Sequence, residues 1–302
     1  MVTSIDPNWP SGAELVYDEP VEGRRNAGVV GVHTYATSVT PRSSTSTPDA
    51  IRAALARYST WSYEDNVDLA QEVSLVDYGN VDDPDGEGGQ QRVAGALRSF
   101  AAEIELRVVL GGDNAATWHA MRAMAGGNYS EFGLITLDAH LDFRDGASNG
   151  SPVRQLIDDG LDGAHVVQVG LADFSNSATY ARRARDAGVH AISRDVLRFE
   201  RVEEVAQRAV RIASAGGRRV YLDVDMDVAD RAVVPGCPAA APGGLSADEM
   251  RRFVRACVTD PSVCALDITE IDVELDSPDQ RTVRLGALLV LEALAGLQRR
   301  TR

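Results

Sequence analysis

The chain has 302 residues, of which 44% are hydrophobic, and its formal net charge is −15. This apolar content is sufficient for a large core and excludes a disordered chain. The strong negative charge argues against nucleic acid as a partner. The sequence contains no run of 18 apolar residues, so no membrane-spanning helix is expected.

The cysteines and the N-terminus indicate where the protein works. The three cysteines, Cys237, Cys257 and Cys264, show no C-x-x-C spacing, and their odd number does not suggest a disulfide framework. The N-terminus lacks a basic segment followed by an apolar one, so we expect no signal peptide. A reducing, cytoplasmic setting is therefore the expected localisation.

Apolar runs alternate with helical patterns along most of the chain. Residues 1–26 are polar, include Pro7, Pro10 and Pro20, and are expected to form an irregular N-terminal arm. The predicted strands are Ala27–His33, Val73–Asp77, Leu106–Leu110, Leu134–Leu137, His165–Val169, His190–Ile192, Arg219–Leu222 and Ser262–Leu266. The predicted helices are Pro48–Ser59, Gln91–Ile104, one from about Ala115, a short one after Pro152, Ala178–Ala187, Val202–Ala215, one from Ser246 to about Val258, and Arg284–Leu297.

This alternation is typical of an α/β protein with a mostly parallel, doubly wound sheet, here of about eight strands. Neither an internal repeat nor a linker is visible, so residues 27–302 are expected to form a single domain. Ligands bind to such sheets outside the carboxyl ends of the strands. Polar clusters that follow different strands can therefore converge at one edge of the sheet.

The stretch Leu134–Gly146 reads LITLDAHLDFRDG, and its apolar start predicts a buried strand. Asp138, His140 and Asp142 follow at a spacing of two. Because extended chain alternates faces with a period of two, their side chains are expected to point the same way. Two carboxylates and an imidazole suit a divalent metal such as manganese. The alternative is a polar strand end that caps a neighbouring helix.

A second stretch, Tyr221–Asp227, reads YLDVDMD and carries Asp223, Asp225 and Asp227 at the same spacing. Carboxylates that lie close together repel each other unless a cation neutralises them. Two divalent ions would do so and could activate a bridging water. The alternative is that the two strand ends lie apart and are separately solvated. The parallel topology weakens it, because these strands end at the same edge.

Five motifs in fixed order resemble the ureohydrolase (arginase/agmatinase) family, over about residues 27–297. They are G-G-D-N at Gly111–Asn114, D-A-H-L-D at Asp138–Asp142, D-V-D at Asp223–Asp225, P-G-C-P…P-G-G-L-S at Pro235–Ser246, and D-I-T-E-I-D at Asp267–Asp272. The resemblance implies a dimanganese amidinohydrolase with a three-layer αβα fold. It also implies a homo-oligomer, either a trimer or a hexamer.

Within this family, three short pieces are most similar to the formimidoylglutamase subgroup. They are D-F-R at Asp142–Arg144, S-N-G-S-P-V-R-Q at Ser148–Gln155, and F-S-N at Phe174–Asn176. The resemblance implies manganese-dependent hydrolysis of N-formimidoyl-L-glutamate to L-glutamate and formamide by a metal-activated hydroxide, a step of histidine degradation. The alternatives are a guanidino hydrolase acting on agmatine, arginine or a guanidino acid, and a non-catalytic family member.

The resemblance assigns metal ligands to individual positions. The implied ligands of the two Mn²⁺ ions are Asn114, Asp138, His140, Asp142, Asp223 and Asp225. Asp138 and Asp223 would bridge both ions. His140 and Asp225 would complete one coordination sphere, and Asp142 and Asn114 the other.

The resemblance also assigns catalytic and substrate-binding residues. Asp142 would accept a proton during the attack, and Glu270 would hold the substrate amidinium by a charge-assisted pair. The alternative for Glu270 is a carboxylate at a helix start. The candidate substrate-binding residues are Arg144, Asn149, Arg154 and Asn176. Arg144 is the most informative of these, because its planar guanidinium can bind a carboxylate through two hydrogen bonds. The alternative is that Arg144 pairs with a neighbouring aspartate.

Two positions depart from the family pattern. Most members have G-G-D-H where this chain has Asn114, so the ion beside it is expected to bind weakly or to be missing. The alternative is that Asn114 simply caps the helix that follows. Arginases carry a His about a dozen residues after D-A-H-x-D, where this chain has Ser148 and Asn149. This departure removes a proposed proton shuttle, which formimidoylglutamases also lack.

Overall fold

Strands and helices alternate along residue 6 and residues 8–300, which this computed structural model describes. The strands are β1 (Val16–Tyr17), β2 (Arg25–Val32), β3 (Trp61–Ser62), β4 (Val67–Asp68), β5 (Val73–Asn80), β6 (Ile104–Gly111), β7 (Phe132–Leu137), β8 (Val166–Leu171), β9 (His190–Ser193), β10 (Arg219–Asp225) and β11 (Val263–Thr269). The helices are α1 (Thr47–Leu55), α2 (Leu69–Glu72), α3 (Gly89–Arg98), α4 (Ala115–Ala125), α5 (Pro152–Asp158), α6 (Ala178–Asp186), α7 (Val202–Ala213), α8 (Ala247–Val258) and α9 (Arg281–Gln298).

The central sheet of the described residues has nine strands in the order β1-β5-β2-β6-β11-β10-β7-β8-β9. All of its strand pairs are parallel, which confirms the predicted sheet. β3 and β4 form a separate antiparallel pair. The ninth strand is β1, so the prediction of an irregular arm is wrong there. Ser11 and Glu14 form a capping box for the 3₁₀ turn Gly12–Leu15, which leads into β1.

Helices cover both faces of the sheet and complete the three-layer αβα architecture. One buried apolar cluster joins α1, α7, α8 and α9 to one face, and a second joins α3, α4, α5 and α6 to the other. α3 ends at Arg98, earlier than predicted. Phe100 follows it and turns into the core, where its ring stacks on the ring of Tyr78 with the two centroids 4.0 Å apart. No helix among the described residues is long and apolar enough to span a membrane.

The strand order places the sequence motifs side by side. β6, β11, β10 and β7 are consecutive neighbours, and one of the polar motifs lies at or directly after the carboxyl end of each. Asp225 pairs with Thr269 across β10 and β11, and Val224 pairs with Leu137 across β10 and β7. These strands therefore end at the same level. That residues 27–302 form one domain remains our interpretation, and residues 1–5, Pro7 and residues 301–302 lie outside the described part.

Candidate metal centre and active-site cavity

A cavity of about 400 Å³ opens at this edge of the sheet. Acidic residues and one histidine contribute its polar floor: His140, Asp142, Asp225, Asp227 and Glu270. Its wall includes Val39, Thr40, Arg144, Asn149, Phe174, Asn176 and Tyr180. The motifs that follow β7, β10 and β11 thus converge, as the topology predicts.

Three of the converging side chains form a tight group. The Nδ1 atom of His140 lies 2.7 Å from Asp227 Oδ2 and 3.6 Å from Asp138 Oδ1. One potential ligand atom from each of these residues lies within 4.8 Å of the others. Asp227 was not among the ligands implied by the family motif, although the sequence already showed it at the spacing of its two neighbours.

Backbone turns explain why Asp227 reaches this group. β10 ends at Asp225, whose carboxylate accepts a hydrogen bond from Asp227 N at 2.8 Å and caps a 3₁₀ turn, Met226–Val228. The turn carries Asp227 toward the end of β7, where its Oδ1 accepts from Ala139 N at 3.1 Å. Because the chain is no longer extended there, a period of two could not predict the direction of Asp227.

Asp223 lies deeper in the sheet than the sequence suggested. It pairs across strands with Asp267 and Thr136, is fully buried and does not line the cavity. Neither of its oxygens has a hydrogen-bond partner among the described residues. Burial and the neighbouring Asp267 raise the pKa of Asp223 well above its ordinary range, as burial and nearby carboxylates also do for Asp225. The two buried oxygens of Asp223 are therefore free to bind a cation. Asp223 and Asp225 remain the predicted ligands from the end of β10, and Asp227 is a further candidate.

Asn114 makes a different set of contacts from the helix cap considered above. It occupies the N-cap position of α4, but its side chain makes no capping hydrogen bond. Its Nδ2 donates to Asp142 Oδ2 at 2.7 Å. Its Oδ1 accepts from the hydroxyls of Thr117 at 2.7 Å and Thr269 at 3.1 Å. The capping alternative is therefore wrong, and the amide oxygen is already bound to two hydroxyl donors.

The negative charges of the carboxylates in this centre are not balanced by nearby positive charges. Burial, with the Asp227 charge, raises the pKa of Asp138 to about 7, and burial with neighbouring carboxylates also raises the pKa values of Asp142 and Asp225. Burial disfavours the charged form of His140, but Asp227 and Asp138 outweigh it and raise its pKa to about 12. Burial alone would raise the pKa of Asp227, yet His140 holds it below its usual range.

This arrangement fits a divalent cation. Asp138 Oδ2 is buried without a hydrogen-bond partner among the described residues, so it is free to bind a cation. Carboxylates combined with one imidazole are a donor set that Mn²⁺ accepts. A cation at this point would relieve the repulsion that raises the carboxylate pKa values.

Glu270 is held by three donors at the cavity floor. Its Oε1 accepts from Asn114 N at 2.9 Å and from Asn149 Nδ2 at 2.9 Å. Its Oε2 forms a buried ion pair with Arg42, a residue that the sequence motifs did not single out. Glu270 has φ +63° and directly follows β11, so the alternative of a carboxylate at a helix start is wrong. Left-handed backbone at a non-glycine residue is typical of functional sites.

The candidate substrate-binding residues divide into two groups. Arg144 is exposed on the cavity wall and has no ion-pair partner among the described residues, whereas Asp145 pairs with Arg183 at 2.7 Å. The neighbouring-aspartate alternative for Arg144 is therefore wrong. Asn149 also lines the cavity and contacts Glu270.

Two further candidates form hydrogen bonds with backbone groups of neighbouring loops. Arg154 donates to the carbonyls of Arg144 at 2.8 Å and Gly146 at 2.6 Å, and does not line the cavity. The expected contact of Arg154 with substrate is therefore replaced by a role in holding the Arg144 loop. Asn176 lines the cavity but accepts from Leu141 N at 2.8 Å and donates to Ala139 O at 3.0 Å, so it holds the Asp138–Asp142 loop in place.

The arrangement has clear relatives among known proteins. The sequence profile of the arginase family matches residues 25–296. The chain belongs to the arginase family. A formimidoylglutamase from Halalkalibacterium halodurans is 32% identical over 303 residues, which cover 97% of this chain and 93% of the relative.

Solved structures of arginase-family proteins share the fold. The crystal structure of formimidoylglutamase from Bacillus subtilis superposes with a TM-score of 0.89 at 27% identity, covering 99% of this chain and 95% of that one. A Trypanosoma cruzi formiminoglutamase solved with Mn²⁺ gives a TM-score of 0.85 at 22% identity, covering 97% and 100%. The predicted family and αβα fold are confirmed.

Proposed function

We propose that this arginase-family enzyme hydrolyses N-formimidoyl-L-glutamate to L-glutamate and formamide, a step of histidine degradation. The choice of substrate rests on one observation. Arg144, which has no ion-pair partner among the described residues, lines a cavity whose floor is acidic. A cationic amidine group fits the floor, and a carboxylate fits the Arg144 fork. The formimidoylglutamases that this chain resembles over nearly its whole length support the same substrate.

We assign the metal as manganese, bound at two positions. The proposed ligands are Asp138, His140, Asp142, Asp223 and Asp225, with Asp227 as a further candidate beside His140 and Asn114 beside the weaker position. Bound Mn²⁺ would activate water for attack on the formimidoyl carbon. The amide oxygen of Asn114 is already engaged by Thr117 and Thr269. The ion beside it should therefore bind less tightly than the ion beside His140.

The protein groups then orient the substrate and move protons. Glu270 would accept an N–H of the amidine, and Arg144 would hold a carboxylate of the glutamate part, so the formimidoyl carbon is fixed between them. Asp142 borders the cavity and is the candidate to accept a proton from the attacking water. Asn149 and Asn176 keep Glu270 and the Asp138–Asp142 loop in place.

The same proposal includes a cytoplasmic location and a homo-oligomer, either a trimer or a hexamer. The proposed partner is a small-molecule substrate and not a nucleic acid, which agrees with the net charge of −15. Light scattering of the purified protein measures the oligomer directly. A monomer at micromolar concentration would contradict this part of the proposal without affecting the assigned reaction.

A substrate panel tests the reaction. Chelator-treated protein is assayed with and without Mn²⁺ on N-formimidoyl-L-glutamate, agmatine, L-arginine and 4-guanidinobutanoate, and formamide and urea are measured. We expect Mn²⁺-dependent formamide release from the first compound only. Urea from a guanidino compound without formamide would replace the proposal by the guanidino hydrolase. No turnover of any compound in the presence of Mn²⁺ would favour the non-catalytic alternative.

A further inference from the structure

The buried carboxylate of Glu270 has little capacity left for a substrate. An ionised carboxylate offers about four acceptor positions, two on each oxygen. Oε1 already accepts from Asn114 N and Asn149 Nδ2, both at 2.9 Å, and Oε2 is paired with Arg42. Among the described residues, no other donor reaches this carboxylate. One acceptor position, on Oε2, therefore remains for the substrate.

Arg42 is well fixed in this position. The side chains of Arg42 and Glu270 are 2% and 3% exposed, so their pairing is shielded from solvent. The neighbouring Ser43 donates to Asp272 through its backbone N at 2.9 Å and its hydroxyl at 2.7 Å. On the other side, Val39 N donates to Asn149 Oδ1 at 2.9 Å. Hydrogen bonds on both sides of Arg42 thus tie its loop to two other segments, the residues after β11 and the loop that carries Asn149.

We infer that Arg42 and Asn149 set the enzyme's preference for a formimidoyl group over a guanidino group. A formimidoyl group carries one terminal nitrogen on its central carbon, whereas a guanidino group carries two. A carboxylate with one open acceptor can hold the first but cannot form the two-point pair that a guanidinium seeks. The second terminal nitrogen would be buried without a partner, and such a mismatch is a strong basis for rejection.

Charge does not separate the two groups. A formimidoyl amidinium and a guanidinium are both cations at physiological pH, and Arg42, which already neutralises Glu270, weakens the attraction of both. The preference therefore follows from the number of terminal nitrogens that need an acceptor. This inference rests on the proposed function, since it concerns the group that Glu270 holds.

The test compares two compounds that differ only at the central carbon. N-formimidoyl-L-glutamate carries a hydrogen where N-carbamimidoyl-L-glutamate carries an NH₂ group. For wild type, Arg42→Ala, Asn149→Ala and Arg42→Lys, kcat/KM is measured for the first compound, and the inhibition constant or turnover for the second. We expect both alanine variants to shift the ratio toward the guanidino compound by at least about tenfold, the effect of one charged hydrogen bond.

The Arg42→Lys variant is the matched control, because lysine keeps a cation on Oε2 and should retain the wild-type preference. If Arg42 only stabilises its loop, Arg42→Ala weakens both compounds equally, and an unchanged ratio overturns the inference. Asn149→Ala frees an acceptor position on Oε1 without changing Arg42, so the inference can still be tested if Arg42→Ala does not fold. Turnover of N-formimidoyl-L-glutamate by the wild-type protein tests the proposed function separately. Should wild type turn over neither compound, calorimetric affinities of both still decide the inference.

Discussion

Asp227 Oδ2 lies 2.7 Å from His140 Nδ1, and this contact joins the end of β10 to the end of β7. It brings Asp227, which the D-V-D motif does not include, beside a predicted metal ligand. Whether Asp227 joins Asp223 and Asp225 in holding the ions can be tested directly by substitution.

Asp223, Asp225 and Asp227 should respond differently to asparagine. Asp223→Asn and Asp225→Asn each remove an anionic ligand, so the Mn²⁺ dissociation constant should rise at least about tenfold and turnover should be nearly abolished. Asp227→Asn removes the carboxylate that contacts His140 Nδ1, and it should weaken Mn²⁺ binding as strongly only if Asp227 is itself a ligand. Isothermal titration of chelator-treated protein with Mn²⁺ measures this. Retention of both ions in Asp223→Asn would remove Asp223 from the ligand set.

Arg144→Ala should raise KM for N-formimidoyl-L-glutamate and leave Mn²⁺ binding unchanged. A bidentate charged contact contributes about 1.5–3 kcal/mol, and its loss should also lower kcat because the formimidoyl carbon is less well oriented. Steady-state kinetics and a Mn²⁺ titration give the two readouts. Arg183→Ala is a suitable control, since Arg183 pairs with the exposed Asp145. Unchanged kinetics in Arg144→Ala would remove Arg144 from the substrate site.

Asn114→His should tighten the ion beside position 114. An imidazole binds Mn²⁺ more strongly than an amide oxygen that two hydroxyls already occupy. We expect protein purified without added metal to regain activity with excess Mn²⁺, and the histidine variant to need less. The value of kcat at saturating Mn²⁺ need not change. Superimposable Mn²⁺ titrations of activity for the two proteins would exclude Asn114 from the metal site.

The metal-free protein should lose stability as the pH rises. Burial raises the pKa of Asp138 to about 7 and that of Asp267 to about 6, whereas an unfolded aspartate titrates near 3.9. The folded state therefore binds more protons between about pH 4 and pH 7, and this stabilisation is lost as pH rises through the folded-state values. Burial opposes protonation of His140, but Asp227 and Asp138 raise its pKa to about 12, which acts in the same direction above its unfolded value.

Thermal unfolding at pH 5 and pH 8, with chelator or with Mn²⁺, measures this effect. We expect the chelated protein to melt at a lower temperature at pH 8, and Mn²⁺ to remove most of the difference because it binds the ionised carboxylates. A chelated protein that is more stable at pH 8 than at pH 5 would contradict the assigned charge states of the centre.

The sequence by itself determined the sheet and the place of the site. Apolar runs such as Leu134–Leu137 must be buried, and alternating strands and helices favour parallel pairing, so the motifs had to meet at one edge. Asp138, His140 and Asp142 could be named because they directly follow a strand. The extra edge strand β1 escaped prediction because its two residues carry too short a pattern.

Only the tertiary structure decided which side chains meet within that edge. Asp227 faces His140 because a 3₁₀ turn follows Asp225, and the direction of a turn depends on contacts from another strand. Arg42 contacts Glu270 although the two residues are 228 positions apart in the sequence. No periodic pattern in the sequence could predict this contact. Periodicity specifies the face of a regular element, whereas the contacts of turns and loops are fixed by the groups they pack against.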